Sequence, residues 1–266
     1  MPRNQAMWTS LKPFYTLFLV IVLLSACAAP REIIHVRSID PSPYIDTLKK
    51  RSSLSGGFAT TMHMNFRGAD RNFQGKVYLL IAFPERFRLE VPGWMGSTLL
   101  VMVNDGEDVW AYYPEEGTSY RSSAHGLSIS PYLPFPLPID PALIPLLFAG
   151  GLPDDVKDRS LRAYELESGR SVLYIEKPGA DTLRYIFSGG EFPGLMELRA
   201  DIRGGTYTVT SFQDASEFPT DFQYSSDGGD LKAKLKDSRP LPDVPLTTFQ
   251  SPVPPGIPTR DLEIFR

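Results

Sequence analysis

Between residues 57 and 91 the chain changes sides at almost every step, and that alternation limits it to strands. Phe58, Thr60, Met62, Met64 and Phe66 alternate with Ala59, Thr61, His63 and Asn65, and a second run sets Val77, Leu79, Ile81 and Phe83 on one face. A period of two is that of the pleat; on a helix the same residues would scatter around the axis. Phe87, Leu89 and Val91 then alternate with Arg86, Arg88 and Glu90, so one face wants an apolar interior and the other wants water. Leu99, Val101 and Val103 are read as continuing the inward face. Asn104-Asp105-Gly106 supplies a turn before a strand over 109–113, and Glu116-Gly117 turns into another over 118–122. These segments predict six antiparallel strands in succession.

Residues 126–153 break this pattern. Pro131, Pro134, Pro136, Pro138, Pro141 and Pro145 exclude a central strand, yet most of the remaining residues are apolar. Asp140 reads as a helix cap with Pro141 in the first position, and the helix is expected to run through Leu147 to a stop at Gly150 and Gly151. Seven more strand segments follow, at 161–166, 171–177, 182–187, 195–201, 206–212, 222–225 and 231–236, parted by turns such as Ser168-Gly169, Gly189-Gly190 and Arg203-Gly204-Gly205. Ahead of the strands, Tyr44, Ile45 and Leu48 share a helical spacing before Lys49, Lys50 and Arg51, which predicts a short amphipathic helix. The expected fold is mainly β: an antiparallel open half-barrel of about 11 strands, with short helices covering an apolar cavity. It occupies residues 43–238, and a proline-rich tail over 239–266 wraps the outside.

The inward side chains Met62, Met64, Leu79, Ile81, Leu89, Leu99 and Val101, with Leu146 and Leu147 from the covering segment, have two possible uses. They close up as an ordinary core, or they line a cavity for acyl chains, where methionines suit a pocket that adapts to different occupants. Periodicity does not separate the two.

The amino terminus has the layout of an export signal. Arg3 and Lys12 precede an unbroken apolar run from Leu17 to Leu24, and the run from Phe14 to Leu24 is about half the length that spans a bilayer. Leu24-Ser25-Ala26-Cys27 matches the bacterial lipoprotein box, so residues 1–26 are expected to be removed and Cys27 to be lipidated. Cys27 is the only cysteine, so it has no internal disulfide partner, and lipidation accounts for an otherwise odd free thiol on an exported chain. Residues 27–42 then read as a lipidated tether. Loss of Arg3 and Lys12 leaves 25 basic against 31 acidic residues, a net charge of −6, which argues against a nucleic-acid partner.

Three stretches resemble the family of the outer-membrane lipoprotein receptor LolB and, more loosely, the periplasmic carrier LolA. Leu54-Ser55-Gly56-Gly57-Phe58 looks like the start of the family's first long strand. Arg86 to Leu99, with Pro92-Gly93-Trp94-Met95-Gly96 inside it, looks like its strand, short loop and return strand. Pro136-Leu137-Pro138 through Leu146-Leu147-Phe148-Ala149-Gly150-Gly151-Leu152-Pro153 looks like its covering helical segment. The likeness spans most of residues 54–225. It implies an open barrel with helices over an apolar cavity, and a non-enzymatic role in which lipoprotein acyl chains arrive from a LolA-like carrier and pass to the outer membrane. The receptor's loop carries an exposed leucine used in that insertion. Here the family's Pro-Leu-Gly is stretched, and Gly93, Trp94, Met95 and Gly96 form the corresponding loop, with Trp94 or Met95 standing in for the leucine. The alternative is that Trp94 folds back over the core.

Ala28, not aspartate, follows Cys27, which is compatible with outer-membrane sorting; the expected protein is lipid-anchored on the periplasmic face of the outer membrane and monomeric. A second expectation keeps the fold and drops the transfer: a structural or lipid-sensing envelope lipoprotein. Catalysis has little to stand on. His35, His63 and His125 lie without metal-ligand spacing, Ser122-Ser123-Ala124-His125 lacks a nucleophile elbow, and no phosphate-binding glycine loop leads from a strand into a helix. No cofactor or metal is expected. Trp110, Tyr112 and Tyr113 sit beside Glu115-Glu116, not in a basic groove.

Overall fold

The structure is a computed structural model. It describes residues 35–262 apart from 53–55, 125–131, 135–140, 154, 180, 191–192, 203–204, 211 and 213–217. The segment read as an export signal, Cys27, Ala28, Pro136 to Pro138 and Asp140 lie outside the described residues. Residues 35–262 belong to one compact unit of the chain, distinct from residues 1–34.

That unit is built on a single sheet of fifteen strands, open because its two end strands do not pair with each other. Strand β1 is His35–Ile39. Then come β2 (Gly57–Gly68), β3 (Asn72–Ala82), β4 (Arg86–Pro92), β5 (Thr98–Asn104), β6 (Asp108–Tyr113) and β7 (Thr118–Ser123). The second run comprises β8 (Ser160–Leu166), β9 (Ser171–Glu176), β10 (Thr182–Phe187), β11 (Leu195–Ile202), β12 (Gly205–Thr210), β13 (Asp221–Ser226) and β14 (Gly229–Leu241), and the last strand is β15 (Thr259–Asp261). Each run is a meander, and the two join where β14 pairs antiparallel with β2, from Gly229 opposite Gly68 to Leu241 opposite Gly57.

The expected count of about 11 is therefore too low. The thirteen segments marked by alternation are all strands, and β1 and β15 come from the stretches read as tether and tail. Neither has a buried face: β1 is exposed except at Ile39, and β15 is exposed throughout. Their signal is absent because their work is edge pairing. β1 lies antiparallel on β8 and β15 parallel on β7, supplying partners to backbone groups that an uncovered edge would leave open.

The inner face holds the main core. Phe58, Met62, Met64, Phe66, Val77, Leu79, Ile81, Phe87, Leu89 and Val91 are all buried in it, as the pleat of β2 to β4 dictates. Helix α1 (Ser42–Ser52) opens where the Asp40 carboxylate accepts hydrogen bonds from the Ser42 amide at 3.0 Å and its hydroxyl at 2.8 Å. Lys49, Lys50 and Arg51 fill its last turn, where the helix dipole favours cations, and Leu48 is its buried anchor.

Helix α2 (Leu143–Ala149) covers the core with Ile144, Leu147 and Phe148. It starts later than Asp140-Pro141 suggests, because 141–142 form a turn, with the Ile144 amide donating to the Pro141 carbonyl at 3.2 Å. Pro145 is tolerated as the third helical residue, whose N–H would lack an intrahelical acceptor anyway. The stop falls at Gly150, at φ 62°, whose amide donates to the Leu146 carbonyl at 2.9 Å.

Candidate functional site

Two features lie where sequence reasoning placed function: the loop between β4 and β5, and the space under α2.

The loop is a single 3₁₀ turn, Trp94–Gly96. Its base is closed by the Gly93 amide donating to the Ser97 carbonyl at 2.9 Å, and by the Ser97 amide and hydroxyl donating to the Trp94 carbonyl at 3.1 and 2.8 Å. A Cβ at Gly93 would lie 2.4 Å from Ser97 Oγ, so a larger residue there would displace the hydroxyl that bonds the Trp94 carbonyl. Met95 takes the left-handed conformation at φ 52°, ψ 30°, unusual for a residue with a side chain, and Gly96 follows at φ 86°. The turn holds both large apolar side chains clear of the protein: Trp94 is 84% exposed and Met95 91%. Trp94 is not folded back on the core. Two neighbouring side chains this exposed, on a hydrogen-bonded turn between core strands, form the kind of apolar surface that marks a contact with a partner or a membrane.

Beneath α2, Met62, Met64, Leu79 and Leu89 from the sheet face Ile144, Leu147 and Phe148 from the helix and Phe222 from β13. The space they enclose is only about 30 Å³ and entirely apolar. Aromatic packing takes up much of the interior: Phe148 lies 5.4 Å from Phe222 and 6.1 Å from Phe58, and Phe58 is stacked on Phe218 at 4.4 Å. Ile81 is buried in the same core, and Leu99 packs against it half-buried.

Val101 belongs to neither the space nor this core. It is buried with Val103 and Phe249 in a second cluster, where the tail covers the outer face of β5. The reason is an irregularity in the β4–β5 ladder: Val91 stands opposite Leu100 but Pro92 opposite Thr98, and Leu99 falls between. A slip of one residue exchanges the two faces, so Leu100 and Met102 point inward. The unbroken apolar run from Leu99 to Val103 is the signal for a strand covered on both sides.

Leu146 also points elsewhere. With Leu143, Pro145, Phe83 and Pro84 it lines a groove of about 530 Å³ on the other side of α2, bounded at one end by Asp155, Arg159 and Lys177. Arg159, with its side chain 7% exposed, bridges Asp155 at 2.6 Å and Asp181 at 2.8 Å, and Lys177 adds a contact to Asp155 at 2.9 Å. The Arg159 hydrogen bond holds the Asp155 carboxyl below its ordinary range against the opposing effect of burial, and Lys177 reinforces it. The pocket residues that sequence reasoning missed are Ile144, Phe148 and Phe222; the first two were hidden by the proline-rich composition around them.

Among the described residues no group of three or more His, Cys, Asp or Glu side chains is placed to hold a metal ion. No described helix is long and apolar enough to cross a membrane. Of the histidines, His35 is on β1, stacked on Tyr164 at 4.4 Å, His63 is on the outer face of β2, and His125 lies outside the described residues.

Fold and site together define a class: an open sheet, antiparallel except at its β7–β15 edge, with an apolar interior under a short helix, and an exposed apolar tip on one inter-strand turn. Among solved structures this chain is similar to a LolA superfamily protein from Nitrosomonas europaea, at 12% identity and a TM-score of 0.53, covering 80% of this chain and 98% of that one. It is similar to an outer membrane lipoprotein-sorting protein domain from Vibrio parahaemolyticus, at 13% identity and a TM-score of 0.51, covering 78% and 95%. A DUF1329 family protein from Desulfovibrio piger matches at 10% identity and a TM-score of 0.54, covering 80% and 98%. At these identities the likeness is one of fold. No protein-family model matches the sequence, and no curated protein matches it.

Proposed function

We propose that this protein is a lipid-anchored envelope acceptor of the LolB type, which takes acyl chains of lipids or lipoproteins beneath α2 and passes them to the outer membrane. The observation that carries this reading is the tip: Trp94 and Met95 stand 84% and 91% exposed on a turn stitched shut at its base. Exposing such side chains to water has a cost that entry into a membrane removes, at about 25 cal/mol per Å² of apolar surface. Cys27 would supply the anchor, and Ala28 suits the outer membrane. The cargo's chains need shielding on the way, since each CH₂ moved from water to an apolar site gains about 0.8 kcal/mol. No covalent chemistry is needed, and no catalytic group is assigned.

A second reading, a structural or lipid-sensing lipoprotein without transfer, is favoured by the small interior space of about 30 Å³. The deciding experiment mixes the chain carrying Cys27→Ala with a soluble carrier loaded with a lipoprotein and follows the cargo into the chain and then into vesicles. Transfer to the chain, with delivery lost in Trp94→Glu or Met95→Glu, is expected. If no cargo moves and no lipid co-purifies, the second reading takes its place.

A further inference from the structure

The outer faces of β14, β2 and β3 carry a charge opposite to that of the chain. Overall there are 27 basic and 31 acidic residues. On the outward positions of these three strands between Gly229 and Lys236, Gly57 and Gly68, and Asn72 and Ala82, the cations are Lys232, Lys234, Lys236, Arg67 and Lys76, and the one acid is Asp230. All five cations are exposed, and the buried alternates Leu231, Ala233, Leu235, Met62, Met64 and Val77 show that they point away from the core.

The ladder fixes their arrangement. Lys234 stands opposite His63, and His63 opposite Lys76, so the three form one row across adjacent strands, about 5 Å apart per strand. Lys232 and Lys236 lie one step above and below on β14, spanning about 13 Å. The acids beside this row are Asp221, opposite Lys234 on β13; Asp230 on β14 itself, opposite Arg67 and bonded by the Ser225 hydroxyl at 2.5 Å; and exposed Asp237, the residue after Lys236 on β14. Glu90 on β4 is taken up by Arg88 at 2.6 Å. Among the described residues, Lys76, Lys232, Lys234 and Lys236 make no ion pair.

The row points at the tip. Tyr78 of β3 stands opposite Glu90 of β4, so two residues on, Lys76 comes level with Pro92, the residue before Gly93. Cationic face and apolar tip are therefore neighbours.

We propose that the outer face of β14, β2 and β3 is a docking surface for anionic phospholipid headgroups, which holds the barrel against a bilayer while Trp94 and Met95 enter it. This rests on the reading of the tip as a membrane contact. A bilayer explains the juxtaposition because it offers both partners in the right order: negative charge at the surface and hydrocarbon just below. An acidic protein would satisfy the lysines and leave the tip unexplained.

The test uses the full lipidated chain, anchored in vesicles of phosphatidylcholine alone or of equal parts phosphatidylcholine and phosphatidylglycerol, with lysine acetylation followed by mass spectrometry. On anionic vesicles Lys76, Lys232 and Lys234 are expected to react about fivefold more slowly, as roughly 1 kcal/mol of attraction per basic group implies, while exposed Lys157 is unchanged. Protection should vanish at about 0.5 M salt. Lys76→Glu with Lys234→Glu, both at exposed positions, should remove the protection of Lys232. Equal rates on the two vesicles overturn the proposal, as does protection that appears only when a soluble acidic protein is added. Cargo transfer that fails while the lysine footprint persists would sink the acceptor reading and leave this docking surface standing.

Discussion

At the scale of single residues, the chain spends its unusual geometry and charge in few places. Met95 holds a left-handed backbone that glycine would adopt freely, a local cost on the order of 1–3 kcal/mol, and it does so where its side chain is 91% exposed. No packing contact within the protein accounts for that choice. Asp155 shows the opposite economy, joining Arg159 and Lys177 in one cluster. Its carboxyl titrates below its ordinary range, so the ionised form is favoured by folding. The associated stability is fully present above the unfolded value of about 3.9 and is lost as pH falls through the lower folded value. Asp155→Asn is therefore expected to lower the urea midpoint at pH 7 and to make its decline below pH 4 shallower. Parallel profiles for the two proteins would show that the cluster contributes nothing to acid stability.

Among the elements, α2 depends most on its terminus. Gly150 combines φ 62° with crowding, because a Cβ there would lie 2.4 Å from Leu195 Cδ2 and 3.2 Å from Arg51 Nε. The helix end is held on both sides: Arg51 Nε donates to the Ala149 carbonyl at 2.7 Å, the Ser52 hydroxyl accepts from the Leu152 amide at 2.6 Å, and buried Tyr185 donates to the Gly151 carbonyl at 2.7 Å. Gly150→Ala is expected to cost about 2 kcal/mol or more in urea denaturation, from strain and displaced neighbours together. A loss under about 0.5 kcal/mol would mean that this end of α2 repacks easily. Gly150-Gly151 was legible in the sequence as a helix stop; the contacts that hold it were not, since Arg51 and Tyr185 meet it from 98 and 34 residues away.

For the whole molecule, the question is whether the interior is a core or a container. Among the described residues the space beneath α2 is about 30 Å³, far too small for an acyl chain, so a chain enters there only if α2 and the phenylalanines beneath it move. Phe148→Ala separates the alternatives. It should destabilise the fold by about 3–5 kcal/mol and, if the interior is a container, raise the uptake of a fluorescent fatty acid. Destabilisation without any uptake would identify a filled core.

Thirteen of the fifteen strands were written in the sequence, because each has one face that must be buried and one that meets water, and the pleat turns that demand into alternation. The place and apolar make-up of the loop were legible too, since Trp94 and Met95 between glycines contradict the polarity of an ordinary turn, but whether Trp94 stood out or folded back was not. Tertiary structure alone decided the rest. β1 and β15 are recruited to the sheet edges by backbone pairing, which leaves no mark on side-chain pattern. A one-residue irregularity sends Val101 outward to Phe249, and no local signal positions such a slip. The cationic face exists only because β14 pairs with β2, bringing Lys234 and His63, far apart in the chain, side by side. Local sequence determines which residues want burial; which neighbours they acquire is set by long-range pairing.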